Sequence, residues 1–132
     1  MSRLVNYGAG EIADRLTILA LKVAHGYEKN ADTNHWETER NALLVQARTK
    51  NVSIEDVIEL AALNAMIWQA EDELRHWRTE SKDNIGECDQ ELVDDIATIA
   101  FQLQRLNDKR AQCIERLNKE AGDFRGAEKV AV

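Results

Sequence analysis

The stretch LVDDIATIAFQLQRLNDKRAQCIERL (residues 92–117) decides the fold. Leu92, Ile96, Ile99, Leu103, Leu106, Arg110, Cys113 and Leu117 recur at alternating spacings of four and three, the period at which one edge of an α-helix returns to the same partner. No glycine or proline interrupts the run, so nothing in it breaks a helix. A stripe this long must be buried against a second one, and Leu60, Leu63, Ile67, Ala70, Leu74 and Trp77 supply it with the same alternation. The spacing predicts helices over about 54–81 and 88–121, joined by a turn near Lys82–Gly86. Together they make an antiparallel hairpin about 45 Å long. Ser53, three residues before Asp56, forms a capping-box pattern that starts the third helix, with Asp in place of the usual Glu.

Two further helices are expected ahead of the hairpin, over about 10–27 and 35–49. In the first, Ile12, Leu16, Leu19 and Val23 form an apolar stripe, Ala13, Thr17, Ala20 and Ala24 a small-residue row beside it, and Ile18 and Leu21 a third apolar side. A helix apolar on most of its circumference belongs at the centre of a bundle or in a subunit interface, and this surface together with the length of the hairpin predicts a homodimer. The second helix offers Trp36, Leu43, Leu44 and Ala47 for burial. The expectation is one all-α domain of about four helices spanning residues 1–132, a bundle built on the long hairpin.

Composition limits what such a bundle does. The chain has 132 residues, a mass of 15.0 kDa, a net charge of −7 and a pI near 5.0. Lys and Arg concentrate nowhere, so a nucleic-acid backbone is repelled rather than gathered. Cys88 and Cys113 match no metal or redox spacing, which fits a reducing compartment. The apolar run Leu16–Ala24 is interrupted by Lys22 and preceded by Glu11 and Asp14, too short and too charged for a leader or a membrane span. A cytoplasmic protein without nucleic-acid or membrane partners is expected.

Catalytic and cofactor motifs fare poorly. GAGEIA (residues 8–13) matches the G-x-G-x-x-A of a dinucleotide-binding turn, but that turn needs a βαβ unit, and nothing after residue 10 alternates like a strand. A short leading segment whose glycines loosen the start of helix one is preferred, with the free N–H groups there open to an anion. Glu73 and His76 form a single E-x-x-H, whereas a di-iron bundle needs two with further carboxylates. His25 and His35 have no ligand-like partners and are expected at the surface or at helix ends. Glu91 and Asp94 form an E-x-x-D pair that resembles half of the Mg²⁺ site of all-α nucleoside triphosphate pyrophosphohydrolases. The resemblance implies a second half at Glu55, Asp56 and Glu59. Most of helix three lies between Glu59 and Glu91, so an antiparallel hairpin holds them many turns apart. A solvated acidic first turn, favourable to the helix dipole, accounts better for Glu91 and Asp94. No catalytic residue and no cofactor is expected, and Mg²⁺ enters only with that alternative activity.

Polar residues beside the seams are more informative. Asn64, Trp68 and Glu71 form a row next to the stripe of helix three, Asn107 and Arg110 flank or interrupt that of helix four, and helix one adds Glu11, Asp14 and Arg15. Buried polar groups must be paired. The row is therefore either an internal network that fixes helix register or a polar pocket for a small ligand.

GEIADRLTILALK (10–22), LNAMIWQAEDELR (63–75) and RLNDKRAQCIERLN (105–118) resemble, in order, three segments of an uncharacterised family of small bacterial helical proteins. These read G-E-L-I-D-K-L-T-I-L-E-I-K, N-x-x-L-W-x-I-E-D and N-D-x-R-A-x-x-K-R-x-I-N. Gly10, Glu11, Asp14, Thr17 and Lys22 match the first, Asn64, Trp68, Glu71 and Asp72 the second, and Asn107, Asp108, Arg110 and Asn118 the third. The family's closing E-E-K-S-Y survives only in part, as AEKV (127–130). The resemblance implies a helical fold and no activity, so a helical binding or interaction module is the function expected.

Overall fold

The computed structural model describes residues 7–83 and 90–123. Four helices follow one another, α1 (Ala9–Glu28), α2 (Asn34–Ala47), α3 (Ile54–Asp83) and α4 (Gln90–Ala121), with no strand among the described residues. These bounds lie within two residues of the expected ones where both are described. The expected turn and the first residues of the expected fourth helix fall largely outside them, as does the AEKV segment.

α3 and α4 form the antiparallel hairpin, with Asp56 and Glu59 near the start of α3 beside Cys113 and Arg116 near the end of α4. α1 packs against α2, α3 and α4 alike, which buries Ile12, Ala13, Leu19 and Val23, while Leu16, Ile18 and Leu21 stay half-buried and Ala20 and Ala24 exposed. The core is Ala13, Leu60, Leu63, Cys113 and Leu117, with Val52, Val57, Leu106 and Ile114 packed around it.

Helix lengths explain how burial changes along the hairpin. α1 has 20 residues and α3 has 30, about 30 Å against 45 Å at 1.5 Å per residue. The hairpin therefore extends past its cover. Leu60, Leu63, Cys113 and Leu117 in the head are buried, whereas Leu74, Trp77, Leu92 and Ile96 further out are only half-buried. In α2 only Leu43 is buried; Trp36 and Ala47 are half-buried, and Leu44 faces solvent, because α2 packs chiefly on α1.

The helix ends show how side chains tie the elements together. Ser53 caps α3 by accepting the Asp56 amide at 3.4 Å. The Asp56 carboxylate turns instead to Arg116, 3.6 Å away, so only half of the capping box forms. α4 ends on Gly122, whose φ of +80° suits a residue without a Cβ. Bonds from Gly122 N to Lys119 O (3.2 Å) and from Asp123 N to Asn118 O (2.7 Å) complete a Schellman turn. That turn carries Asp123 back over the start of α1.

The two glycines of GAGEIA have a packing role. Gly10 lies inside α1, and a Cβ there would collide with the backbone carbonyl oxygen of Ile114. It thus permits a close crossing of α1 and α4, rather than loosening the start of the helix. The N–H groups of Ala9 and Gly10 bond to Asp123 Oδ2 at 3.0 Å and Asn118 Oδ1 at 2.7 Å. The anion site expected there is already filled by the chain's own side chains.

Candidate functional site

The polar row converges on Asp14. One turn into the buried part of α1, its carboxylate is 11 % exposed and faces both α3 and α4. Arg110 donates from Nε to Asp14 Oδ1 at 2.8 Å and from Nη2 to Oδ2 at 2.6 Å, the paired geometry a guanidinium and a carboxylate prefer. Asn64 adds a bond from Nδ2 to Oδ1 at 3.0 Å and another to Thr17 Oγ1 at 2.7 Å. Thr17 completes the circuit by donating to the Asp14 carbonyl at 2.9 Å. The hydrogen bond to Asp14 raises the Arg110 pKa above its ordinary value, against the opposing effect of burial. A carboxylate held by a guanidinium on both oxygens is a good register pin, since one residue from each of α1, α3 and α4 must be in place at once.

Other members of the row stand outside this knot. Glu71 is exposed and acts on Arg110 only through its charge, so it does not complete a buried network. Trp68 is half-buried and stacks on His25, with centroids 4.6 Å apart and planes at 3°. His25 is thus a packing partner rather than a free surface group. Asn107 is exposed and bonds to the Leu103 carbonyl of its own helix at 3.1 Å. Arg15 is exposed, pairing with Glu39 at 3.3 Å and lying over the Tyr7 ring. Glu11 is half-buried beside Gly8 and Asn118, and its buried Oε2 has no partner among the described residues.

The acidic residues of the alternative metal site are dispersed. Glu55 is exposed, Glu59 accepts from Arg116 at 2.7 Å, Asp94 accepts from Gln90 at 2.9 Å, and Glu91 is exposed. Glu59 pairs with the end of α4 that lies 25 residues after Glu91, so the two stand about 35 Å apart along the hairpin.

Two arrangements escaped the sequence reading. Lys50 Nζ pairs with Asp123 at 3.1 Å, tying the α2–α3 loop to the turn after α4; residues 73 apart in the chain carry no periodic signal. Asp56, Glu59 and Cys113 hold ligand-type atoms within 4.8 Å of one another. Their counter-charge is already present in Arg116, and the fully buried Cys113 donates to the Asp56 carbonyl at 3.2 Å. Burial, followed by the nearby Glu59 charge, pushes the Cys113 thiol pKa up, away from the thiolate that metal binding or nucleophilic chemistry requires. Heptad spacing could have suggested Glu59–Arg116, since both flank the seam.

Two recesses are notable among the described residues. A small apolar one of about 140 Å³ lies between the α1 start and the α2–α3 loop, lined by Ile12, Ala13, Val52 and Val57 among others. A larger groove of about 370 Å³ runs between α3 and α4, with Met66, Gln69, Ala70 and Glu73 on one wall and Gln102, Arg105, Leu106 and Lys109 on the other. It opens on the hairpin face turned away from α1. No helix of the described residues is long and apolar enough to cross a membrane. Comparison with protein families, curated proteins and solved structures found no match to this chain.

Proposed function

We propose that the chain is a helical interaction module of a reducing, cytoplasmic compartment, binding a protein partner through the open face of the α3–α4 hairpin. The groove between Met66 and Lys109 carries this assignment, because it is apolar along its floor, polar at its rim, and uncovered by any other described helix. Met66 is 45 % exposed there, and Phe101, one helical turn before Arg105 on α4, 63 %. Large apolar side chains exposed beside a groove are characteristic of binding surfaces.

The other side of the hairpin supports the same function by contrast. Residues shared with the resembling bacterial family, among them Gly10, Asp14, Thr17, Asn64, Arg110 and Asn118, are engaged with one another across helices. Their role is to hold α1 on the hairpin, and the free cysteine Cys113 is sealed in the core.

Hydroxyl-radical footprinting tests the assignment. Met66 should oxidise readily in dilute purified protein and be protected in extract of the producing cells, with Trp68 unchanged. Met66 that oxidises as readily in the extract and in concentrated pure protein as in dilute protein would overturn it.

A further inference from the structure

We propose that the occupant of the hairpin groove is a second copy of this chain, docked face to face about a two-fold axis parallel to α3 and α4. The inference rests on the proposed role of that face as a binding surface and names its partner. Charge and area carry it.

The groove separates unlike charges. Glu73 stands on the α3 wall, and Arg105 and Lys109 on the α4 wall. All three are exposed, and among the described residues no ion pair is formed between Glu73 and either Arg105 or Lys109. Nearer the head, where the helices close together, Glu59 and Arg116 bridge the same face at 2.7 Å. Under a two-fold axis parallel to the helices, α3 of one copy lies against α4 of the other at the same height, since the operation exchanges sides without reversing direction. Glu73 of each copy then meets the partner's α4 within about one turn of Arg105. The contact occurs twice, and both instances are attractive. An axis across the helices would instead set α3 on α3, placing Glu73 nearer acidic and neutral neighbours.

The area is adequate. A hairpin about 45 Å long and two helices, or about 20 Å, wide presents roughly 900 Å², against about 800 Å² per partner in a stable interface. Met66 and Ala70 on α3 and Leu106 on α4 would form its apolar centre, with Glu73, Arg105 and Lys109 at the rim, so that the two-helix arm becomes a four-helix bundle.

Reciprocal charge reversal tests this. Sedimentation equilibrium at tens of micromolar should give a particle of twice 15.0 kDa for the native chain. E73R alone and R105E alone should each weaken association at least tenfold, because each homodimer would then contain two like-charged contacts. An equimolar mixture of the two variants should restore a heterodimer, in which both contacts are again opposite in sign. Circular dichroism should show unchanged helicity for each, as both residues are exposed. A 15.0 kDa particle for the native chain, or a dimer indifferent to both reversals, would overturn the proposal. Footprinting separates its failure from that of the binding face: protection of Met66 that rises with the concentration of pure protein indicates self-association, and protection found only in cell extract indicates a different partner on the same face.

Discussion

Replacing Asp14 by alanine removes the acceptor on which three helices meet, and the cost follows from the groups left behind. Arg110 loses two charge-assisted bonds, of 2.8 and 2.6 Å, and Asn64 loses one of 3.0 Å. Breaking a fully buried pair costs about 3–5 kcal/mol. The Arg110 side chain is 30 % exposed, so water recovers part of its solvation. Asn64, only 4 % exposed, recovers almost none, though it keeps its bond to Thr17. These considerations bring the expected loss to about 3 kcal/mol. For 132 residues, an unfolding entropy of about 2.1 cal/mol/K per residue makes this a fall in Tm of about 10 °C. Urea unfolding gives the free energy and calorimetry the Tm. Arg110→Ala should cost about as much, and the double variant far less than the sum, with a coupling energy of about 1.5 kcal/mol or more. A cost below about 1 kcal/mol for Asp14→Ala, or strict additivity in the double variant, would show that the knot does not pin the helices.

Three further outcomes are expected. Gly10→Ala should destabilise by about 2 kcal/mol or more in urea unfolding, despite the better helix propensity of alanine, because the added carbon meets the rigid Ile114 carbonyl. Glu71→Ala should change stability by no more than about 0.5 kcal/mol, as expected of an exposed residue outside the knot; a cost above about 1 kcal/mol would return Glu71 to it. Glu120 has its pKa raised by local desolvation and by Asp56, with Arg116 opposing. A group whose folded pKa is raised favours the fold in full below its unfolded value and loses that contribution as pH rises through the folded value. Glu120→Gln should therefore raise Tm at pH 7 and leave it unchanged below the ordinary carboxylate range; thermal melts across pH check the sign.

The seams of α3 and α4 could be read in the sequence because a heptad stripe repeats one physical requirement every turn. Asp14, Asn64 and Arg110 were legible for a related reason: each is a polar residue in or beside an apolar stripe, which burial forces to find partners. Glu71 and Asn107 follow the same spacing but lie outside the knot, since helical register fixes a direction while the reach of the covering helix decides what is buried. α1 spans only the head of the hairpin, and no local pattern states where a crossing helix stops. The cap that Asn118 and Asp123 place on α1 was hidden for a different reason. It depends on a left-handed glycine at position 122 that reverses the chain, and a bond across more than a hundred residues leaves no trace in spacing. The GAGEIA motif shows the converse, a nucleotide-like pattern whose glycine is required by helix packing.

The two faces of α3 offer the most direct test of where this protein binds. Gln69 lines the open groove, while Glu71 lies exposed on the side that carries the Asp14 knot. A photo-crosslinking phenylalanine analogue placed at each position in turn, in the producing cells, reads both faces with one chemistry. A discrete crosslinked product from position 69 and none from position 71 is the predicted result. A product from position 71 alone would contradict the account and move the binding surface to the polar seam.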